Sequence, residues 1–547
     1  MSDLYPNQPI SIKKIFYSFL VFFLFLFSPL KAKDIRSLNV DGRSLKAVKG
    51  EILVKYAGDG HPSPGFLSAL SEKGAKSSGK IPGIDVYKYK VPDENLEKVL
   101  AELNSRPDIA YARPNTIFYA QVLPPIYNNL TELRTNQWGL YKIQAHDAWN
   151  TETGDSKAII AVVDSGVDLY HPDLKDNIWL NPKETEDGWD SDDNGYIDDV
   201  RGWDFVDNDN DPSPNDFLNE THGTHVAGIS SAAGVVGVVG VARGSRIMPL
   251  KVLAYRDRGD GYMTEIGSSD DIAEAIVYAA DNGAHIINLS LGGPEKCEII
   301  ESAVEYAYKK DLVIVASSGN EDENTVSWPA AHREVISVGA TNQYDRRAFF
   351  SNYGSSLDLM APGVGILSTV PGGLYAEYFG TSMAAPFVSG LAALVVSYCE
   401  NKGHFWDAEM IKNLLIRHAD GLVGDGFPHR DFETGYGRIN AQTIMTFLDS
   451  NAFRVDFSKP LSYPNPFNPN LQSIMLLLPS SSTSELKGYK IFSLTGRLVR
   501  EESDLSGTFT RWDGRNNDDS LCASGLYFYQ LITHDGGTET GKITLVR

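Results

Sequence analysis

AIIAVVDSGVD, residues 158–168, sets six apolar residues directly before an aspartate and a Ser-Gly turn. A run that is mostly apolar, rather than alternating, marks a strand buried on both faces, as strands of parallel sheets are. Similar runs are IINLSL (286–291) and LVIVAS (312–317), which leads into a Gly319–Asn320 turn. Helical stretches separate these runs. The alternation predicts an α/β domain over residues 134–448, a parallel sheet covered by helices on both faces. MAAPFVSGLAALVVSYC (383–399) reads as a helix so apolar that it is buried on most sides. Ligands of open α/β sheets bind beyond the carboxyl ends of the strands, and Asp164, Ser290 and Asn320 all fall at such ends.

Three strings in this region carry chemistry: VVDSGVD around Asp164, HGTHVAG from His222 and GTSMAAP around Ser382. They supply a carboxylate, an imidazole and a hydroxyl. A serine hydroxyl is a poor nucleophile until an adjacent base takes its proton. The base in turn needs a buried carboxylate that fixes its tautomer and stabilises the imidazolium. Ser382 opens a helix, where its backbone N–H and the helix dipole favour a developing oxyanion. His222 and His225 are spaced like metal ligands on one helical face, but no HExxH pattern or third ligand accompanies them.

With their flanking residues, these strings resemble the three active-site signatures of the subtilisin-like serine proteases, in the chain order Asp…His…Ser. The resemblance implies a subtilisin-like fold and a serine endopeptidase working through an acyl-enzyme on protein or peptide substrates, with no cofactor for catalysis. It implies Asp164 as the orienting carboxylate, His222 as the general base, Ser382 as the nucleophile and His225 as a structural residue. Asn320, in ASSGN, matches the family's oxyanion-hole asparagine. SLGG (290–293) and ASSG (316–319) match the two backbone edges of the primary specificity pocket, which assigns Ser290, Leu291, Gly292, Ser317, Ser318 and Gly319 to substrate binding. Neither edge carries a charge, so a large apolar side chain is expected before the scissile bond. Two other readings share the fold: a catalytically silent scaffold, opposed by the intact triad, and an acid peptidase of the sedolisin type, opposed by His222.

The flanks extend this picture. Residues 13–32 open on two lysines, followed by an apolar stretch from Ile15 to Phe27, then Pro29 and a small residue, the layout of a secretory signal peptide over residues 1–32. Residues 34–125 carry alternating EILVKY (51–56) and VYKYKV (86–91), a helical ENLEKVLAELNS (94–105) and a closing RPDIAYARPNTIFYA (106–120). This small α+β segment resembles the inhibitory propeptide of subtilisin-like proteases, and self-cleavage is expected between Tyr119 and Arg134. Residues 452–547 turn to short alternating strands with Gly and Asn/Asp turns, about seven strands of an all-β immunoglobulin-like sandwich. YPNPFNP, WDGR and SGLYFY make this block resemble the C-terminal sorting domains of type IX secretion cargo, which implies a secretion-machinery partner. A carbohydrate- or surface-binding sandwich is the alternative reading. Together the flanks imply a secreted or cell-surface protein.

The formal net charge of −22 argues against nucleic acid as a partner, since the main attractive term would be repulsive. Three widely spaced cysteines, Cys297, Cys399 and Cys522, form neither a disulfide framework nor a metal motif. Part of the charge sits in DGWDSDDNGYIDD (187–199), where Asp190, Asp192, Asn194 and Asp198 surround Gly195 at the spacing of a calcium loop. Position twelve is Arg201 rather than glutamate, so a complete EF-hand is excluded and Asp199 is the substitute ligand; a solvated acidic loop is the alternative. A structural calcium ion is therefore expected here. The family's calcium asparagines after HGTHVAG are absent from AAGVVGVVG (232–240), which leaves Asp173 without them.

Overall fold

The structure is a computed structural model that describes residues 33–40, 43–57, 62, 70–126, 137–422, 430–450, 461–463, 465–469, 473–479, 482, 484–507 and 509–547. The expected export segment, 1–32, lies outside them, as do residues 127–134 of the expected cleavage stretch. The chain divides into two compact units, residues 1–405 with 416–440 and residues 406–415 with 441–547.

At the centre of the first unit is a seven-stranded parallel sheet. Its order from one edge is Leu359–Pro362, Val335–Thr341, Val313–Ser317, Ile286–Leu289, Ile159–Asp164, Arg246–Lys251 and Trp203–Asp204. Successive side chains of a strand point to opposite faces, and Ile286–Leu289 shows what each face meets. Asn288 accepts a 2.8 Å hydrogen bond from Ser389 of helix Thr381–Lys402. Its neighbours Ile287 and Leu289 cluster instead with Ile272, Ile276 and Ile299 from helices Ser269–Asp281 and Glu298–Lys309. Helices thus cover both faces. Thr381–Lys402 is long and apolar enough to cross a membrane, but it is buried inside this unit.

A second, antiparallel sheet passes through the N-terminal segment. Ile109–Ala120 pairs with Arg43–Tyr56, which pairs with Val86–Lys90, and that with Lys76–Ile81. Helix Leu96–Asn104 lays Leu96, Val99, Leu100 and Leu103 on this sheet, the i, i+3, i+4, i+7 stripe of an amphipathic helix. The strand Ile109–Ala120 then continues into the α/β region. Ile117, Phe118 and Tyr119 pair with Ser268, Gly267 and Ile266, while Tyr119 and Ala120 pair with Gly292 and Leu291 on the other edge.

Buried charges bind the same seam. Lys88 Nζ lies 3.1 Å from Asp270 and also contacts Glu274, and Lys33 Nζ lies 2.8 Å from Asp271. Burial opposes the charge on Asp270, but the two lysines outweigh it and hold its carboxyl well below the usual range. Burial pushes Asp271 up to about 6 and Glu274 to about 7. All three cysteines are free and buried, and burial pushes the Cys399 thiol up to about 12.

The second unit holds seven strands among its described residues, in antiparallel sheets of three and four. Phe467, Ile474, Leu476, Tyr489, Trp512, Tyr529 and Ile543 from both sheets share one buried cluster. Trp512 is fully buried, and its indole N–H donates to the Arg515 carbonyl at 2.7 Å, which closes the WDGR turn.

Removing one partner of a buried ion pair leaves the other charge uncompensated. Lys88→Met should therefore destabilise the first unit by about 3 kcal/mol. Lys80→Met, which breaks a more exposed pair with Asp85, should stay within about 1 kcal/mol. Urea unfolding of the two full-length variants measures the difference.

Candidate active site

Asp164 ends the strand Ile159–Asp164 and His222 begins the helix His222–Ser231. Their side chains meet through a 2.7 Å contact between His222 Nδ1 and Asp164 Oδ1, and both are buried. The approach depends on Gly223, where a β-carbon would lie 2.4 Å from the Gly166 carbonyl and 3.1 Å from Asp164 Cβ. Burial pulls the imidazole toward the neutral form. The charge and hydrogen bond of Asp164, with a smaller contribution from Glu265, outweigh burial and hold His222 above the ordinary histidine range.

Glu265 carries no sequence motif. It lies on Met263–Ser268, is almost fully buried, and its Oε1 accepts the backbone N–H groups of Thr221 at 3.0 Å and His222 at 3.3 Å. It thus caps the helix that carries the imidazole. Burial raises its own carboxyl to about 7. His225 is packed differently: its Nε2 contacts the Ala376 carbonyl at 3.0 Å, its ring stacks on Tyr378, and burial lowers it to about 3.

Ser382 lies in the first turn of Thr381–Lys402 and is fully buried. Its hydroxyl donates to the Ser290 carbonyl at 2.8 Å, not to His222, whose Nε2 has no hydrogen-bond partner among the described residues. Its backbone N–H donates to the Gln121 carbonyl at 3.2 Å. Asn320 stands beside this point. Its Oδ1 accepts from the Thr381 N–H at 2.9 Å, while its Nδ2 is buried without a partner among the described residues. Among the residues assigned to substrate binding, Leu291 and Gly292 pair with the N-terminal strand, and Ser290 receives the Gln121 N–H at 3.3 Å. Ser317 ends its strand, Ser318 donates to the Asn352 carbonyl, and Gly319 adopts a positive φ of 109°. One residue of this pocket went unrecognised in the sequence: Ser327, whose Cβ lies 3.2 Å from the position of a β-carbon on Gly292.

The acidic loop is arranged otherwise than its spacing implies. Asp190 and Asp192 bring their carboxylates together with Glu184, oxygens within 4.8 Å of one another. Asp198 instead accepts the backbone N–H groups of Asp187 and Gly188 at 2.9 and 3.0 Å. Asp199 is fully buried and accepts from the Tyr278 hydroxyl at 2.5 Å and from Asn181. Asn194 spends its amide on Asp199 and its oxygen on the Tyr196 N–H. Asp198, Asp199 and Asn194 brace the loop through these bonds, and the carboxylates whose oxygens gather are those of Glu184, Asp190 and Asp192. Glu184 precedes the quoted loop, which is why spacing within the loop missed it. Asp173 accepts the N–H groups of Val236, Gly237 and Val238 at 2.6–3.0 Å, so the loop's own amides satisfy it without asparagine ligands.

Sequence relationships agree with this geometry. Residues 155–437 match the Subtilase family and residues 36–115 match the Fervidolysin N-terminal prodomain. The chain belongs to the subtilase family and is a subtilisin-like serine endopeptidase with an N-terminal prodomain. It is 38% identical over 418 residues to the thermophilic serine proteinase of Bacillus sp. (strain AK1), covering 76% of this chain and 92% of that one. It is 38% identical to thermitase of Thermoactinomyces vulgaris over 313 residues, 57% of this chain and 97% of thermitase. Subtilisin BL of Lederbergia lenta is 37% identical over 307 residues, 56% of this chain and 97% of that one.

Glu265 places a second acidic group beside the imidazole, and removing its charge disfavours the imidazolium. Glu265→Gln, which keeps an oxygen acceptor for the two N–H groups, should lower the His222 pKa by about one unit. NMR titration of the imidazole proton resonances measures it; an unmoved pKa makes Glu265 a cap only.

Proposed function

We propose that the protein is an exported, self-processing endopeptidase in which Asp164, His222 and Ser382 form the triad and Asn320 completes the oxyanion hole. The observation that carries this reading is the convergence on one carbonyl oxygen of the Ser382 N–H and the region of the unpartnered Asn320 amide, next to a buried Asp164–His222 pair. Rotation of the Ser382 side chain away from the Ser290 carbonyl delivers its hydroxyl to His222 Nε2. His222 takes the proton as Ser382 attacks the peptide carbonyl, and Asp164 stabilises the imidazolium. Two donors then hold the tetrahedral oxyanion. His222 returns the proton to the leaving amine, and water hydrolyses the acyl-enzyme.

The N-terminal segment, residues 34–125, acts as the inhibitory propeptide, supported by its strand lying between Ser290–Gly292 and Met263–Ser268. Residues 134–448 are the protease domain in this reading. Residues 1–32 direct export. Residues 452–547, a seven-stranded block closed by WDGR around buried Trp512, serve as an immunoglobulin-like sorting domain toward a secretion machinery. A calcium ion at Glu184, Asp190 and Asp192 has structural rather than catalytic work. All-oxygen ligands suit calcium better than zinc.

Ser382→Ala should abolish caseinolysis at neutral pH and leave the prodomain attached, with the fold intact by circular dichroism. Full activity in that variant removes Ser382 from the mechanism. Asn320→Ala should lower kcat by about 10²–10³ with KM little changed, the size found when the same donor is removed from subtilisin.

Mutual repulsion of three close carboxylates is relieved by a bound divalent cation, which adds about 2.7 kcal/mol of stability at a hundredfold excess over Kd. Chelation should therefore lower Tm, and Asp192→Ala should reproduce much of the loss in calcium-containing buffer. An unchanged Tm on chelation identifies the loop as a solvated acidic surface.

A further inference from the structure

We infer that Asn288 and Ser389, neither of which bonds to the triad, are positioning residues for the nucleophile, acting through the Ser290 hydroxyl on the Ser382 backbone. The inference rests on the proteolytic reading above and extends it to the groups that hold Ser382 in place.

The demand for them comes from the nucleophile's own helix. In a regular helix the Ser382 carbonyl accepts the N–H four residues on, and that residue is Pro386. Proline has no N–H, and its ring crowds the carbonyl one turn back. Ser382 is fully buried, and a buried carbonyl left unpaired is costly. Ser290 supplies the missing donor: its hydroxyl donates to the Ser382 carbonyl at 2.9 Å. The bond is returned, because the Ser382 hydroxyl donates to the Ser290 carbonyl at 2.8 Å. The two serines grip each other through side chain and backbone just beyond the strand Ile286–Leu289.

The Ser290 hydroxyl has one proton, and a relay behind it keeps that proton on Ser382. Asn288 Nδ2 donates to Ser290 Oγ at 2.9 Å, and Ser389 Oγ donates to Asn288 Oδ1 at 2.8 Å. All four residues are fully buried. The direction of every bond is set by the last acceptor. A carbonyl only accepts, so Ser290 spends its proton on Ser382 and must itself be met by a donor. The Asn288 amide therefore turns its NH₂ to Ser290 and its oxygen away, and Ser389 gives that oxygen a proton. Without Ser389 the amide is free to flip, and its oxygen then competes for the Ser290 proton. Ser389 lies on the same helix as Ser382, so the relay leaves that helix, crosses Asn288 of the parallel sheet and returns to the first turn. It fixes the nucleophile relative to the strand end. Such placement matters because a displacement of about 1 Å at a reacting group costs about a hundredfold in rate.

The test measures kcat and KM of the self-processed full-length chain on one chromogenic peptide, per serine titrated by a covalent serine reagent. Ser290→Ala should lower kcat about tenfold with KM within about twofold, since the Ser290 carbonyl still receives the peptide N–H. Ser389→Ala should lower kcat about threefold. Pro386→Ala restores the N–H that the helix lacks, so on that background Ser290→Ala should cost less than about threefold. Ser389→Ala added to Ser290→Ala should change nothing further, because it acts only through the hydroxyl already removed. Rates per titrated serine are not imitated by loss of folded protein. A Ser290→Ala loss just as large on the Pro386→Ala background overturns the role of the carbonyl. Losses from Ser290→Ala and Ser389→Ala that multiply overturn the relay, and a loss carried by KM overturns positioning of the nucleophile. Should Ser290→Ala yield no titratable protein, Ser389→Ala decides alone, and wild-type kcat in that variant overturns the relay. Absence of hydrolysis by the wild-type chain overturns the proteolytic reading itself, and the inference with it.

Discussion

A buried carboxylate against a buried imidazole is the constraint on which the rest of this structure depends. Neither Asp164 nor His222 reaches water, and taking such groups into the interior is costly unless they are paired and hydrogen-bonded. The pair forms only if a strand end and a helix start approach within one hydrogen bond. Gly223 permits that approach, the parallel sheet holds the strand end still, and Glu265 ties down the first N–H groups of the helix. Much of what surrounds the pair is there to keep two backbone termini in register.

The second constraint is the seam between prodomain and protease. A strand that inserts between two others satisfies its backbone groups on both edges, and Ile109–Ala120 does so as it enters the cleft. Charge reinforces the seam. Asp270 and Asp271 sit at the start of Ser269–Asp281, held by Lys33 and Lys88 from the N-terminal segment. The interface is thus built from ladder hydrogen bonds and compensated charges.

Other features of the site follow from economy of hydrogen bonding. Asp173 takes three amides of the Val236–Val238 loop, and Asp198 and Asp199 take loop amides, a tyrosine hydroxyl and an asparagine. Glu184, Asp190 and Asp192 accept loop N–H groups as well, and they also bring their carboxylate oxygens within 4.8 Å of one another.

The local sequence by itself determined the strands and the chemistry. Largely apolar runs at 158–163, 286–291 and 312–317 read as inner strands, and the strands Ile159–Asp164, Ile286–Leu289 and Val313–Ser317 stand there. The three signature strings placed Asp164, His222 and Ser382 before any coordinate. Tertiary structure decided what depends on distant backbone. Glu265 reaches His222 across 43 residues, Ser327 comes to line the pocket from beyond its two glycine edges, and Gln121 meets Ser382 across 261. The loop spacing likewise names Asp190 and Asp192 but not Glu184, which joins their carboxylates from before the loop. Periodicity tells which way a side chain points along its own element, but the groups that satisfy a buried carboxylate or wall a pocket arrive from elsewhere in the chain, where no local pattern can specify them.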